Sequence, residues 1–78
     1  MASFRIYDLT RVVCPASGTR YWTARVVAGK ASLPVDTRWG SWQGDALGRR
    51  YDLPSYVSRT LQDKVRPLER REQKALEA

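Results

Sequence analysis

Residues 20–28 read Arg-Tyr-Trp-Thr-Ala-Arg-Val-Val-Ala. Trp22, Ala24 and Val26 share one parity, while Tyr21, Thr23, Arg25 and Val27 share the other. A period of two is the pattern of a strand with one buried face, because successive side chains leave a strand on opposite sides. Upstream, Phe4 and Ile6 alternate with Arg5 and Tyr7, so Ser3 to Cys14 reads as one long strand or two short ones. The alternation slips at Asp8, and a bulge or turn near Asp8–Thr10 resets it before Val12 and Val13. Pro15-Ala16-Ser17-Gly18-Thr19 is a turn by composition, which makes the two strands an antiparallel hairpin.

Downstream, Ala28-Gly29-Lys30 predicts a second turn and Ala31 to Val35 a third short strand. Pro34 assigns that strand to an edge or an end, since proline donates no ladder hydrogen bond. Residues 36–52 contain Gly40, Gly44 and Gly48 with little periodicity, and read as an ordered loop or a short strand plus loop carrying Trp39 and Trp42. Leu53, Val57, Leu61, Val65 and Leu68 then recur at four- or three-residue steps, one apolar stripe of a helix over 53–66. Asp52 is the expected N-cap, Pro54 fits the first turn, and Pro67 is expected to break or kink the helix. The charged tail, 67–78, is expected to form a second helix on the core or a segment that orders on a partner. The fold class implied is α+β: a small antiparallel sheet packed against one or two C-terminal helices, in a single domain over 1–78.

The chain has 78 residues, a net charge of +6 and a pI near 10.1. That length supports one small core. Arginine supplies most of the positive charge, and eight basic residues stand against three acidic ones in residues 1–50, six against five thereafter. Guanidinium groups pair bidentately with phosphate and stack on rings, so this balance points to an anionic partner. The partners expected are nucleic acid, a nucleoprotein complex or an acidic protein surface, with no membrane, and the protein acting as monomer or homodimer. There is one cysteine, Cys14, and no histidine, so no intrachain disulfide forms and the usual metal, haem and iron–sulfur ligand sets are missing. No cofactor and no metal are expected. Neither a membrane-span-length apolar run nor a signal-peptide core is present, and the expected location is the cytoplasm of a bacterium or phage-infected cell.

Three groups of residues are candidates for binding. Arg5, Tyr7 and Arg11 on the first segment and Tyr21, Thr23 and Arg25 on the second are expected to share one open sheet face, where rings meet bases and guanidinium groups meet phosphates. Arg38, Trp39 and Trp42 resemble a protein-interaction hot spot in composition and equally suit stacking on a nucleobase, with one of the two tryptophans expected in the core. Arg49-Arg50 makes a positive spot ahead of the helix, and Arg66, Arg70, Arg71 and Lys74 are read as part of a solvated mixed-charge helix. Cys14, among apolar neighbours, is expected to be buried and inert. Catalysis is not expected. Acid–base work falls to scattered Asp and tail Glu residues, and no phosphate loop or paired-carboxylate site is written in the chain. The sequence therefore predicts a small, basic, non-enzymatic binding protein. Two alternatives stand beside it: an inhibitor of the phage or mobile-element kind that blocks a host complex by protein binding (anti-CRISPR proteins share its size and style, by analogy only), and a small ribonuclease.

Overall fold

The alternation of residues 20–28 is realised as a strand in the computed structural model, which describes residues 3–77. The elements are β1 (Arg5–Val13), β2 (Arg20–Ala28), β3 (Ala31–Asp36), β4 (Gln43–Ala46), β5 (Arg49–Asp52) and α1 (Ser55–Glu77). The strands form one antiparallel meander in the order β1-β2-β3-β4-β5, followed by the single helix. The chain is thus an α+β domain, as its hydrophobic pattern predicts.

The sheet is covered on one face. Trp22, Ala24 and Val26 from β2, Val35 from β3 and Trp42 pack with Val57, Leu61 and Val65 of α1. Leu61 is fully buried at the centre, and Phe4, Ile6, Leu9, Leu33, Leu53 and Leu68 close the rim. The four-residue spacing of the helix stripe sets Val57, Leu61 and Val65 one above the other on the side facing the sheet.

The slip at Asp8 is a β-bulge. Tyr7 stands opposite Arg25, yet Thr10 stands opposite Thr23, so Asp8 and Leu9 together face Ala24. Asp8 takes a left-handed φ of 57°, a conformation that Asp tolerates better than most residues. An extra residue reverses the side-chain parity beyond it. Arg11 therefore leaves the face of Arg5 and Tyr7 and points to the helix side, opposite Trp22.

Residues 36–52 carry more structure than the expected loop, or short strand plus loop, because they contain a further hairpin, β4–β5. Ala46 pairs with Arg49 across Leu47-Gly48, whose φ angles of 55° and 75° are both positive. That is a two-residue turn of the I′ kind, whose twist matches the flanking strands. The pattern is weak because β4 and β5 have four residues each and Gly44 stands where an inward side chain is due. A Cβ on Gly44 would lie 2.7 Å from Tyr51 Cζ, so the glycine makes room for the Tyr51 ring. Pro34 is accommodated inside β3 because β4 reaches only Val35 and Asp36. Position 34 has a partner strand on one side alone, through Arg25.

The helix also differs from expectation. Asp52 ends β5 and accepts from Gln43 Nε2 at 3.2 Å, so it does not cap the helix. Pro54 occupies the cap position, its carbonyl accepting from Val57 and Ser58 at 3.0 and 3.1 Å. Nor does Pro67 end the helix, which runs on to Glu77. A mid-helix proline costs roughly 3 kcal/mol. Tertiary contacts beyond the proline offset that cost: Leu68 packs on the core and Glu72 is gripped by Arg11 and Arg20. No helix is long and apolar enough to cross a membrane among the described residues.

Candidate nucleic-acid interface

The sheet face turned away from α1 is open, and its character changes from β1 to β5. On β1 and β2 the register sets Arg5 beside Val27, Tyr7 beside Arg25, Thr10 beside Thr23 and Val12 beside Tyr21. Arg5 and Arg25 are exposed, as is Tyr7 at 45%. Arg25 donates to Ser32 Oγ at 2.9 Å, which steadies its guanidinium across the β2–β3 ladder without neutralising it. The bulge residue Asp8 is the one acidic residue on these two strands.

Arg38 extends this surface from the β3–β4 loop. Its guanidinium lies over the Tyr21 ring at 4.9 Å and donates to the Tyr21 hydroxyl at 3.0 Å. That hydrogen bond, with the neighbouring charge of Asp36, holds Arg38 protonated more firmly than usual. The loop is fixed at its β3 end. Thr37 exchanges hydrogen bonds with Trp22, receiving its N–H on Oγ1 at 2.9 Å and donating its own to the Trp22 carbonyl at 3.0 Å. The Arg38 amide also donates to Asp36 Oδ1 at 3.0 Å. Trp39 follows and is 68% exposed.

Across β3, β4 and β5 the same face is internally neutralised. Arg50 pairs with both oxygens of Asp36 and donates to Gln43 Oε1 at 3.3 Å, and Gln43 in turn reaches Asp52. The ion pairs among the described residues engage Arg11, Arg20, Arg50 and Arg66. Arg5, Arg25 and Arg38 take part in none of them, so three guanidinium groups at the β1–β2 end keep their charge for a partner.

Other sequence candidates fall elsewhere. Arg11, assigned by parity to the open face, instead lies 4.8 Å over the Trp22 ring on the helix side. It grips Glu72 in a bidentate pair of 2.8 and 3.1 Å, and Arg20 adds a third bond at 3.2 Å. These bonds, those of Arg11 first, hold the Glu72 carboxyl below its ordinary range. Trp42 is the core tryptophan, 5% exposed, which separates it from Trp39. Arg49 and Arg50 are adjacent strand residues and point to opposite faces, so they form no joint positive spot. On α1, Arg66 pairs with Asp63 at 3.5 Å, while Arg70, Arg71 and Lys74 are solvent-exposed.

Sequence reasoning missed the surroundings of Cys14. The thiol is half-buried rather than buried, and hydrogen bonds from Ser17 lower its pKa from the ordinary 9.0, with Arg38 adding a small electrostatic push. Cys14, Ser17, Thr19, Tyr21, Arg38 and Trp39 line a cleft of about 480 Å³. Its only sequence trace is the turn composition of 15–19, which does not say which loop lies beside it. Compared with known proteins, the chain matches no family model, no curated protein and no solved structure.

Proposed function

We propose that the protein is a non-enzymatic binding module for nucleic acid or a nucleoprotein complex, and that it binds through the open β1–β2 face. The observation that carries this reading is the set Arg5, Arg25 and Arg38, without ion-pair partners among the described residues and interleaved with Tyr7 and Tyr21 on a face that no described element covers. Arginine supplies phosphate contacts, tyrosine supplies ring surface, and a sheet holds both at fixed spacing. The lack of histidine and the engagement of Asp36 and Glu72 in ion pairs support binding over catalysis.

A titration of labelled single-stranded RNA, single-stranded DNA and duplex DNA by fluorescence anisotropy, at two salt concentrations, tests the reading. Salt-sensitive binding that weakens with Arg25→Glu supports it. An absence of binding at low salt refutes it.

One observation favours a second reading, a protein-binding inhibitor or accessory subunit. Leu47 is 100% exposed at the tip of the β4–β5 hairpin, in a left-handed conformation that a leucine does not favour. A solvent-facing apolar side chain kept at such a position fits a protein contact. Under this reading the bare nucleic acids bind weakly, and Leu47→Asn or Trp39→Ala disrupts a protein complex while the fold persists.

A further inference from the structure

The cleft beside the open face differs from the face itself. It is concave, whereas the Arg5–Tyr7–Arg25 surface is a sheet. It is lined by Trp39 and the Arg38–Tyr21 stack together with Cys14, Ser17 and Thr19 at the β1–β2 turn. A volume of about 480 Å³ falls within the ordinary ligand-pocket range of ~300–1,000 Å³. The turn is held by Gly18 N–H to Cys14 O at 2.7 Å and Cys14 N–H to Thr19 O at 2.8 Å, and the loop opposite is tied to Trp22. The cleft is therefore preformed between two anchored turns. Its lining carries one positive charge, that of Arg38, and no negative one.

We infer that this cleft receives an unpaired base of a single-stranded nucleic acid, whose flanking phosphates run onto Arg38 and Arg25. The inference rests on the nucleic-acid reading above and adds the strandedness of the ligand. A duplex keeps its bases stacked inside and presents backbone alone, so it gains from the open face and gains nothing from the cleft. A single strand gains both. Trp39 offers a ring to stack on, and the Thr19 hydroxyl, which accepts from Ser17 Oγ at 2.8 Å, keeps its own proton for a base edge. Stacking tolerates any base because each has a π-face.

Two features of the molecule report on occupancy. Trp22 and Trp42 are 7% and 5% exposed against 68% for Trp39, so quenching by a bound base acts on Trp39 emission. Cys14 is the chain's single cysteine, so alkylation reads the cleft lining without background.

The test uses the full chain with a 12-nucleotide single strand, the same strand with abasic positions, and a hairpin duplex. Tryptophan emission, oligonucleotide anisotropy and the rate of Cys14 alkylation are followed together. The single strand is expected to quench emission, slow alkylation and bind more tightly than the duplex or the abasic strand. Trp39→Ala is expected to cost about 5- to 150-fold in single-strand affinity, the factor equivalent to ~1–3 kcal/mol per stacked base, and to leave duplex affinity unchanged. Trp39→Phe restores most of the loss. Salt-sensitive binding of single strand and duplex with equal affinity, indifferent to Trp39→Ala and without protection of Cys14, overturns the cleft while the open-face reading stands. Failure of every nucleic acid to bind at low salt overturns both.

Discussion

Replacing Arg25 by Glu tests how many charges the open face contributes. Among the described residues, three guanidinium groups there lack an ion-pair partner, namely Arg5, Arg25 and Arg38. If each meets one phosphate of a single strand, log K falls against log salt with a slope of about −2, since each contact contributes about −0.7. Raising salt from ~50 to ~200 mM then weakens binding roughly 20-fold. Arg25→Glu removes one contact, so the slope becomes shallower by about 0.7 to 1. It also sets a negative charge diagonally across the β1–β2 ladder from Arg5, within the ~10 Å screening length of moderate salt, which lowers affinity at every salt concentration. The fold is expected to survive, because Arg25 is exposed and its one hydrogen bond goes to the Ser32 hydroxyl. Anisotropy titrations at five salt concentrations measure the slope for wild type, Arg25→Glu and, as a control on the opposite side, Arg70→Glu. A slope unchanged by Arg25→Glu but reduced by Arg70→Glu refutes the assignment and moves the binding surface to the helix.

Other consequences concern stability. Leu47 is fully exposed with φ 55°, so Leu47→Asn loses no packing and relieves a strain of about 1 kcal/mol; thermal melting is expected to rise by about 4–8 °C. Gly44→Ala places a methyl 2.7 Å from the Tyr51 ring, and urea unfolding is expected to show a loss of about 1–3 kcal/mol, partly recovered by adding Tyr51→Ser. The Arg11 and Arg20 bonds depress the Glu72 pKa, so its contribution to stability is complete above the ordinary carboxylate value of 4.5 and is lost as pH falls through the lower folded value. Glu72→Gln is expected to lower stability at neutral pH and flatten the acid limb, read from melting curves between pH 2 and pH 7.

Where one short-range pattern dominated, the sequence was legible. The alternation of 20–28 and the four-residue stripe Val57, Leu61, Val65 both reappear as the two halves of the core. Local signals failed where a distant contact outweighed them. Pro67 carries a strong helix-ending preference, yet the helix continues because Leu68 and Glu72 find partners on the sheet. The β4–β5 hairpin has little pattern of its own and depends on Gly44 giving way to Tyr51. The bulge was visible as a slipped alternation, but its consequence is a parity reversal, which carries Arg11 from the open face to Glu72. Within the candidate site, Arg5, Tyr7, Tyr21 and Arg25 share a face as their parity implied. The stacking of Arg38 on Tyr21 and the cleft beside Cys14 were illegible, because each depends on which loop returns beside which turn.

The most direct measurement is an amide chemical-shift map of the labelled protein titrated with a short single-stranded oligonucleotide. Binding through the open face and its cleft predicts shifts concentrated at Arg5, Tyr7, Tyr21, Thr23, Arg25, Arg38 and Trp39, with the helix beyond Pro67 unmoved. Shifts confined to Arg70, Arg71 and Lys74, or no shift at low salt, contradict the account.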